Sequence, residues 1–223
     1  MSRFHKRLMY WIDLGYMDYE KSLNVQKRVI DKREIGALPD VLLTVEHPHV
    51  YTIGRRGKNE DVPSASLPVF KVERGGTVTY HGPGQLVAYP IIKLDETHLD
   101  IPQFVKMLEE VGISLLKDYN VDADRVEGKA GVWIGGKKIA SIGLAVKNWV
   151  TYHGIAININ VDLRYFQAIK PCGFPPNLMT SLNEIIGRNI PMDEAKRKFI
   201  QHFANIFSVE LIEKPLDILF TNC

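Results

Sequence analysis

The chain has 223 residues, 45% of them hydrophobic and 24% charged, which is the composition of a globular protein with one well-covered core. Its 28 basic and 26 acidic residues leave a formal net charge of +2 without a block of like charge, so nucleic acid is not an expected partner. Two cysteines argue against a disulfide framework or a zinc site, and no apolar run reaches the length of a membrane span. We therefore expect a single domain over residues 1–223, in the cytoplasm and away from membranes.

The N-terminal half combines one helix pattern with short apolar, β-branched segments bounded by glycine and proline. Residues 18–33 predict a helix. Strands are predicted at residues 41–47, 50–54, 69–73 and 85–92.

The C-terminal half begins with an amphipathic helix pattern over residues 101–117, for which Asp100 is the expected N-cap. Residues 138–146 and 153–161 return to strand composition. Ser181 and Glu184 form a capping-box pattern before a short helix, and the apolar stripe from Phe199 to Phe207 predicts a later one. Strands in the middle with helices around them indicate an α+β fold, with a mixed β-sheet flanked by helices.

One segment, RGGTVTYHGPGQLVAYP over residues 74–90, concentrates four glycines, two prolines and a histidine between strand-like runs. Glycines leave room for a ligand to approach the backbone, and the polar side chains between them can contact it. The alternative is that these residues only form hairpin turns. The segment has neither the spacing of a phosphate-binding P-loop nor that of a dinucleotide-binding loop.

This segment resembles the signature of the lipoyl(octanoyl) transferases, and four further segments resemble that family in the same order. They are EHPHVYTIGRRG (46–57), KIASIGLAV (138–146), TYHGIAININ (151–160) and KPCGFPPNLMTSL (170–182). The resemblance implies the fold shared with biotin and lipoate protein ligases and an acyltransferase without a cofactor. It implies octanoyl-acyl carrier protein as donor, and as acceptors the lipoyl domains of 2-oxoacid dehydrogenase E2 subunits and the glycine-cleavage H protein.

The resemblance also selects two catalytic candidates. Cys172, between Pro171 and Gly173, matches the family's acyl-accepting cysteine, and Lys138 matches its lysine partner. A thiolate can take an acyl group from a thioester and pass it to an amine without ATP. A thiol with an ordinary pKa of about 8.5 needs a nearby cation or base at neutral pH, and Lys138 would supply it. The alternatives are a small buried cysteine and a solvated surface lysine.

Substrate contacts are implied by three of the matching segments. The expected substrate-binding residues are Arg74, Gly75, Gly76, Thr77, Val78, Thr79, Tyr80, His81, Ser141, Ile142, Gly143, Gly154, Ile155 and Ala156. His81 and His153 either face the substrate or make structural hydrogen bonds. His47 and His49 have no third ligand at a suitable spacing, so no metal site is expected.

Three functions remain open at this stage: a thioester-dependent transferase, an ATP-dependent lipoate or biotin ligase, and a non-catalytic acyl-binding module. A ligase forms an adenylate and needs no cysteine, so the pair of Cys172 and Lys138 favours the transferase. Leu178 and Met179 depart from the family pattern, which has a glycine there, and this puts the loop beside Cys172 in doubt. The grouping of Arg55, Arg56 and Lys58 predicts contact with an acidic partner protein.

Overall fold

The computed structural model describes residues 6–62, 67–97, 99–169 and 176–221, and over these residues the chain forms eleven strands and four α-helices. The strands are β1 (Arg7–Tyr16), β2 (Asp40–Glu46), β3 (Val50–Ile53), β4 (Val69–Lys71), β5 (Val78–His81), β6 (Gln85–Ile91), β7 (Asp124–Val126), β8 (Lys129–Ile134), β9 (Lys137–Lys147), β10 (Val150–Asn158) and β11 (Val209–Glu213). The helices are α1 (Tyr19–Glu34), α2 (Ile101–Lys117), α3 (Leu182–Ile186) and α4 (Met192–Ile206).

Eight strands form the large sheet, in the order β11-β1-β2-β6-β10-β9-β8-β7. β1 runs parallel to both of its neighbours, whereas the strands from β2 to β7 pair antiparallel, so the sheet is mixed. The other three strands form a separate small sheet, in the order β4-β3-β5. These features confirm the predicted α+β fold with a mixed sheet and helices.

Helices cover both faces of the large sheet, because its central strands are apolar on both sides. On β2, Leu42 packs in the cluster that contains Phe104 of α2 and Phe199 of α4. Its neighbours Val41 and Leu43 belong to the opposite cluster, which contains Val29 and Ile30 of α1. Alternation between the faces explains why this strand is continuously hydrophobic in sequence.

The predicted helix cap is present at the start of α2 and absent at the start of α3. Asp100 caps α2 as expected, since its carboxylate accepts a hydrogen bond from the backbone N–H of Gln103 at 2.7 Å. The capping box predicted at Ser181 is wrong, although α3 does begin after this residue. The Ser181 hydroxyl bonds to Asn183, and Glu184 accepts a hydrogen bond from Thr180, so neither side chain caps the helix.

The small sheet supports the segment on either side of residues 170–175. Val78 and Tyr80 of β5 pack in an apolar cluster with Ile169, which precedes those residues, and with Met179, which follows them. Phe166 lies in the same cluster. Both flanks of the segment that carries Cys172 are therefore packed against β5, while Cys172 itself lies outside the described residues, as does Cys223.

Candidate active site

A pocket with an empty volume of about 440 Å³ lies where β5, β6, β9 and β10 meet the Arg74–Gly76 loop and the start of α1. Its lining includes most of the residues expected to bind substrate, namely Arg74, Gly75, Gly76, Thr79, His81, Ser141, Ile142, Gly143, Gly154, Ile155 and Ala156. The described chain therefore brings residues from three distant sequence segments to one cavity, which we name the acyl pocket.

Strand alternation separates the remaining expected residues from this pocket. Thr79 and His81 line it, whereas Val78 and Tyr80 are buried on the other side of β5, in the cluster that packs against Ile169 and Met179. Thr77 precedes the strand and also lies outside the pocket lining. Consecutive residues of a strand point to opposite faces, so a continuous motif contributes only alternate side chains to a cavity.

Arg74 holds the glycine loop in place over the pocket. Its Nη2 donates to the backbone oxygen of Thr52 at 2.8 Å and to the Thr52 hydroxyl at 2.9 Å. A side chain at Gly143 would contact this arginine closely, because a Cβ there would lie 3.0 Å from Arg74 Cδ. The absence of a side chain at Gly143 thus allows the loop to close against β9.

Two neutral histidines, His81 and His153, line the pocket, and His47 lies next to His81 with the ring centroids 5.9 Å apart. Burial lowers the pKa of His153 to about 3, with Arg74 contributing, and it lowers the pKa of His47 to about 4. Burial also holds the pKa of His81 well below its ordinary value. His153 is 2% exposed, and its Nε2 has no hydrogen-bond partner among the described residues. Apart from Arg74, which is bonded to Thr52, the described lining is neutral and suits an apolar chain.

Two hydrogen bonds fix the tautomer of His47. Its Nδ1 lies 2.7 Å from the carbonyl oxygen of Met17, which can only accept, so Nδ1 carries the proton. Nε2 then accepts from the hydroxyl of Tyr89 at 2.9 Å. Burial raises the pKa of Tyr89 well above 10, which keeps this hydroxyl protonated as the donor.

A chain of buried hydrogen bonds fixes His81 in the same way and leads toward Lys138. Asn158 Nδ2 donates to the carbonyl oxygen of Thr180, so Asn158 Oδ1 accepts from Gln85 Nε2 at 2.9 Å. Gln85 Oε1 is consequently the acceptor for His81 Nδ1 at 2.7 Å, which leaves His81 Nε2 with a lone pair. The backbone N–H of Thr180 donates to the carbonyl oxygen of Lys138 at 3.0 Å.

Lys138 lies in β9 with its side chain buried, at 2% exposure, whereas the adjacent Lys137 is exposed, as alternation along a strand predicts. The Lys138 ammonium lies 5.4 Å from the ring centroid of Trp133. Its backbone bonds to Thr180, eight residues after Cys172, and it forms a parallel bridge with Met179. The structure thus places the chain that leaves the Cys172 segment against the strand that carries Lys138.

The unusual Leu178 and Met179 occupy defined positions. Leu178 ends a single helical turn over Pro176–Leu178, and Met179 is buried at 5% exposure. Met179 therefore makes apolar contacts beside the strand that carries Lys138. Loop geometry at Cys172 lies outside the described residues.

Sequence reasoning missed several wall residues of the acyl pocket. Tyr19 at the start of α1 and Val87 and Tyr89 of β6 line it, next to His153, for which a substrate-facing position was one of the two predicted alternatives. Tyr89 lies inside the glycine-rich signature, but only its position on β6, paired with β2 and β10, shows that it reaches the pocket. No group of three or more metal-ligating side chains occurs among the described residues, and none of the helices described could span a membrane.

Comparison with known proteins shows which family this chain belongs to. The model of the lipoyl protein ligase A/B catalytic domain matches residues 18–204. The octanoyltransferase of Syntrophobacter fumaroxidans is 42% identical over 217 residues, covering 94% of this chain and 95% of the relative. The chain therefore belongs to the lipoyl protein ligase A/B catalytic-domain family.

Further members of the family agree with that assignment. A probable octanoyltransferase of Pyrobaculum calidifontis is 44% identical over 201 residues, covering 90% of this chain and 86% of the relative. A lipoate-protein ligase A solved with ATP superimposes with a TM-score of 0.77 at 15% identity, covering 96% of this chain and 92% of that one. That likeness concerns the fold, whereas the octanoyltransferase relatives confirm the predicted enzyme class, an acyltransferase.

Proposed function

We propose that this acyltransferase moves an octanoyl group from octanoyl-acyl carrier protein to a lysine of a lipoyl domain, through a thioester on Cys172. The observation that carries the proposal is the position of Lys138. This lysine lines an open cleft that shares Gly75, Gly76, Ile142 and Gly143 with the acyl pocket. An acyl chain in the pocket would present its carbonyl at this shared wall, beside the strand that carries Lys138.

In the first half-reaction, the Cys172 thiolate attacks the donor thioester carbonyl, and the bond to the donor sulfur breaks. The Lys138 ammonium supplies a proton to the departing thiolate, which leaves the lysine as a neutral amine. The products are the octanoyl-Cys172 thioester and the free thiol of the carrier. No ATP is required because the donor thioester is already activated.

In the second half-reaction, the amine of the acceptor lysine attacks the carbonyl of octanoyl-Cys172. Neutral Lys138 takes the proton that the attacking amine loses, while the carbon–sulfur bond breaks and restores the Cys172 thiolate beside the Lys138 ammonium. The product is an octanoyl amide on the acceptor. Lipoyl domains of 2-oxoacid dehydrogenase E2 subunits and the glycine-cleavage H protein are the proposed acceptors.

The acyl pocket complements this chemistry through its neutral surface. Burial keeps His81 and His153 uncharged at neutral pH, so Arg74 is the one cation among the described lining residues, and its guanidinium is bonded to Thr52. Burial likewise raises the pKa of Tyr19 and keeps its hydroxyl neutral. The neutral carbonyl of a thioester needs no counter-ion, so these uncharged histidines suit it.

A direct test compares two donors with one acceptor. Octanoyl-acyl carrier protein without ATP, and free octanoate with ATP, are each incubated with the enzyme and an apo-lipoyl domain, whose mass is then measured. We expect octanoylation with the thioester donor alone. Octanoylation only with octanoate and ATP would instead identify an ATP-dependent ligase, and no modification in either mixture would contradict both enzymatic functions.

A further inference from the structure

A second cleft opens beside the acyl pocket and leads from Lys138 to the surface. Its empty volume is about 1040 Å³, and it shares Gly75, Gly76, Ile142 and Gly143 with the acyl pocket. The two cavities thus border the same stretch of mostly bare backbone. A ligand whose reacting atom lies at this wall would extend from there into both of them.

The walls of the cleft combine an apolar strip with two exposed cations and the buried Lys138. Ile101 and Val105 from α2 face this cavity together with Leu144 of β9, and Ile101 is 47% exposed. Arg56 and Lys129 are exposed and also line the cleft, whereas no carboxylate does so among the described residues. This combination suits a long, uncharged chain that ends in an anion.

Arg56 is well placed to bind such an anion. Its backbone N–H donates to the carbonyl oxygen of Gly76 at 3.1 Å, which attaches it to the loop that forms the shared wall. Its guanidinium makes no ion pair with any described residue. Neighbouring Arg55 is also exposed but does not line the cleft.

We propose that this cleft binds the phosphopantetheine arm of the acyl donor, with the apolar strip against the pantetheine chain and Arg56 and Lys129 against its phosphate. The proposal rests on the proposed function, which puts the thioester sulfur at the shared wall. The acyl chain then occupies the inner pocket, and the arm on the other side of the sulfur has to leave through the cleft. Its phosphate meets the two cations, where charge-assisted hydrogen bonds stabilise it.

Three small thioesters separate the parts of the arm. Octanoyl-N-acetylcysteamine carries only the sulfur end, octanoyl-pantetheine adds the carbon chain, and octanoyl-phosphopantetheine adds the phosphate. The rate of octanoyl-enzyme formation is measured with each donor at subsaturating concentration. We expect the phosphate to raise this rate about tenfold over octanoyl-pantetheine, a charge-assisted contribution of about 1.4 kcal/mol.

The variants test which residue supplies that preference. Arg56→Ala should lose most of the phosphate preference, taken as the ratio of the rates with octanoyl-phosphopantetheine and octanoyl-pantetheine in the same variant, and Arg56→Glu should reverse it. Arg55→Ala is the matched control and should keep the full preference. Ile101→Asn should lower the advantage of octanoyl-pantetheine over octanoyl-N-acetylcysteamine, because it replaces an apolar contact with a polar side chain.

The outcomes distinguish this inference from the proposed function. Acylation at one rate by all three donors, or a phosphate preference that is equal in the parent and in Arg56→Ala, overturns the arm-binding cleft and leaves the transferase intact. Failure of every donor, including octanoyl-acyl carrier protein, to acylate the enzyme contradicts the thioester route itself and the cleft's role with it.

Discussion

Trp133 and Lys138 are directly opposite each other on β8 and β9, and the Lys138 ammonium lies 5.4 Å from the indole centroid. The indole is buried, at 3% exposure, and its Nε1 donates to the carbonyl oxygen of Lys129 at 3.1 Å. A buried aromatic face attracts an ammonium and so limits where it can go. Trp133 therefore acts as a positioning residue for Lys138, with no expected contact to the reacting atoms.

Substitution of Trp133 should slow transfer in proportion to the aromatic surface that is lost. Trp133→Leu removes the ring and should lower the single-turnover transfer rate by about fivefold, equivalent to about 1 kcal/mol of cation–π interaction. Trp133→Phe keeps a ring and should retain more of the rate. Both variants lose the indole hydrogen bond to Lys129, so equal rates in the two variants would show that Trp133 has only a structural role.

Gly131 provides the space that the Lys138 side chain occupies. A Cβ at this position would lie 2.6 Å from Lys138 Cε and 2.3 Å from the carbonyl oxygen of Ala140. Gly131→Ala should lower the free energy of unfolding by about 3 kcal/mol and slow transfer, because alanine is strained at the φ of +129° and the backbone and the lysine must both shift. Thermal denaturation and single-turnover assays measure the two effects.

Gly135→Ala is the matched control for Gly131→Ala. Gly135 has a φ of +54° in the β8–β9 turn, and no atom lies within 4 Å of the place that an alanine methyl group would occupy. Alanine there therefore costs about 1 kcal/mol of backbone strain alone. We expect this variant to transfer at the parent rate. Equal losses of stability in the two alanine variants would contradict the close contact with Lys138.

The buried histidines should make stability depend on pH. Burial lowers the folded-state pKa of His47 to about 4 and that of His153 to about 3, from the ordinary value of 6.5. Between each folded-state pKa and pH 6.5, the histidine binds a proton in the unfolded chain but not in the folded one. The free energy of unfolding therefore falls as the pH is lowered from 6.5. Above pH 6.5 this contribution is fully present.

His153→Asn should reduce that acid sensitivity while it keeps the backbone conformation, because asparagine tolerates the φ of +57° at this position. Between pH 7 and pH 5, the variant should lose up to about 2 kcal/mol less stability than the parent. Urea denaturation at several pH values measures the difference. The same loss in both proteins would show that His153 is not held neutral in the fold.

The sequence predicted best those elements that are stabilised by residues within their own segment. The helix over residues 101–117 has the predicted bounds, since its apolar stripe and the Asp100 cap both lie within the segment. The strand over residues 69–73 was predicted too long, because only Val69–Lys71 pairs with β3. Strand β8 was not predicted, although it carries Trp133, because its polar start and Gly131 weaken the strand pattern and pairing with β9 stabilises it.

Sequence motifs predicted the candidate site, but a motif alone does not show which of its side chains reach the pocket. A motif specifies neighbours along the chain, while the pocket selects alternate residues from strands that pair at long range. Tyr19 and Val87 therefore became visible as wall residues only with the fold. The buried hydrogen-bond chain from His81 through Gln85 and Asn158 was equally inaccessible, since Gln85 and Asn158 are 73 residues apart.

The two proposed roles of Lys138 can be separated by two substitutions. Lys138→Met removes both the cation and the base, so it should slow alkylation of Cys172 at neutral pH and also slow transfer to the acceptor. Lys138→Arg keeps a cation that does not deprotonate, and it should restore alkylation better than transfer. Alkylation rates across pH and single-turnover transfer give the two readouts; parent-like values in Lys138→Met would show that Lys138 has no part in the reaction.

The most direct measurement is the intact mass of the enzyme after mixing with octanoyl-acyl carrier protein in the absence of ATP and acceptor, followed by peptide mapping. We predict one octanoyl group per chain, located on Cys172, in the parent and in the control variant Cys223→Ala, and none in Cys172→Ala. Addition of an apo-lipoyl domain should then remove the adduct and octanoylate the acceptor. Undiminished transfer by Cys172→Ala, or an adduct that the acceptor does not discharge, would contradict the thioester mechanism.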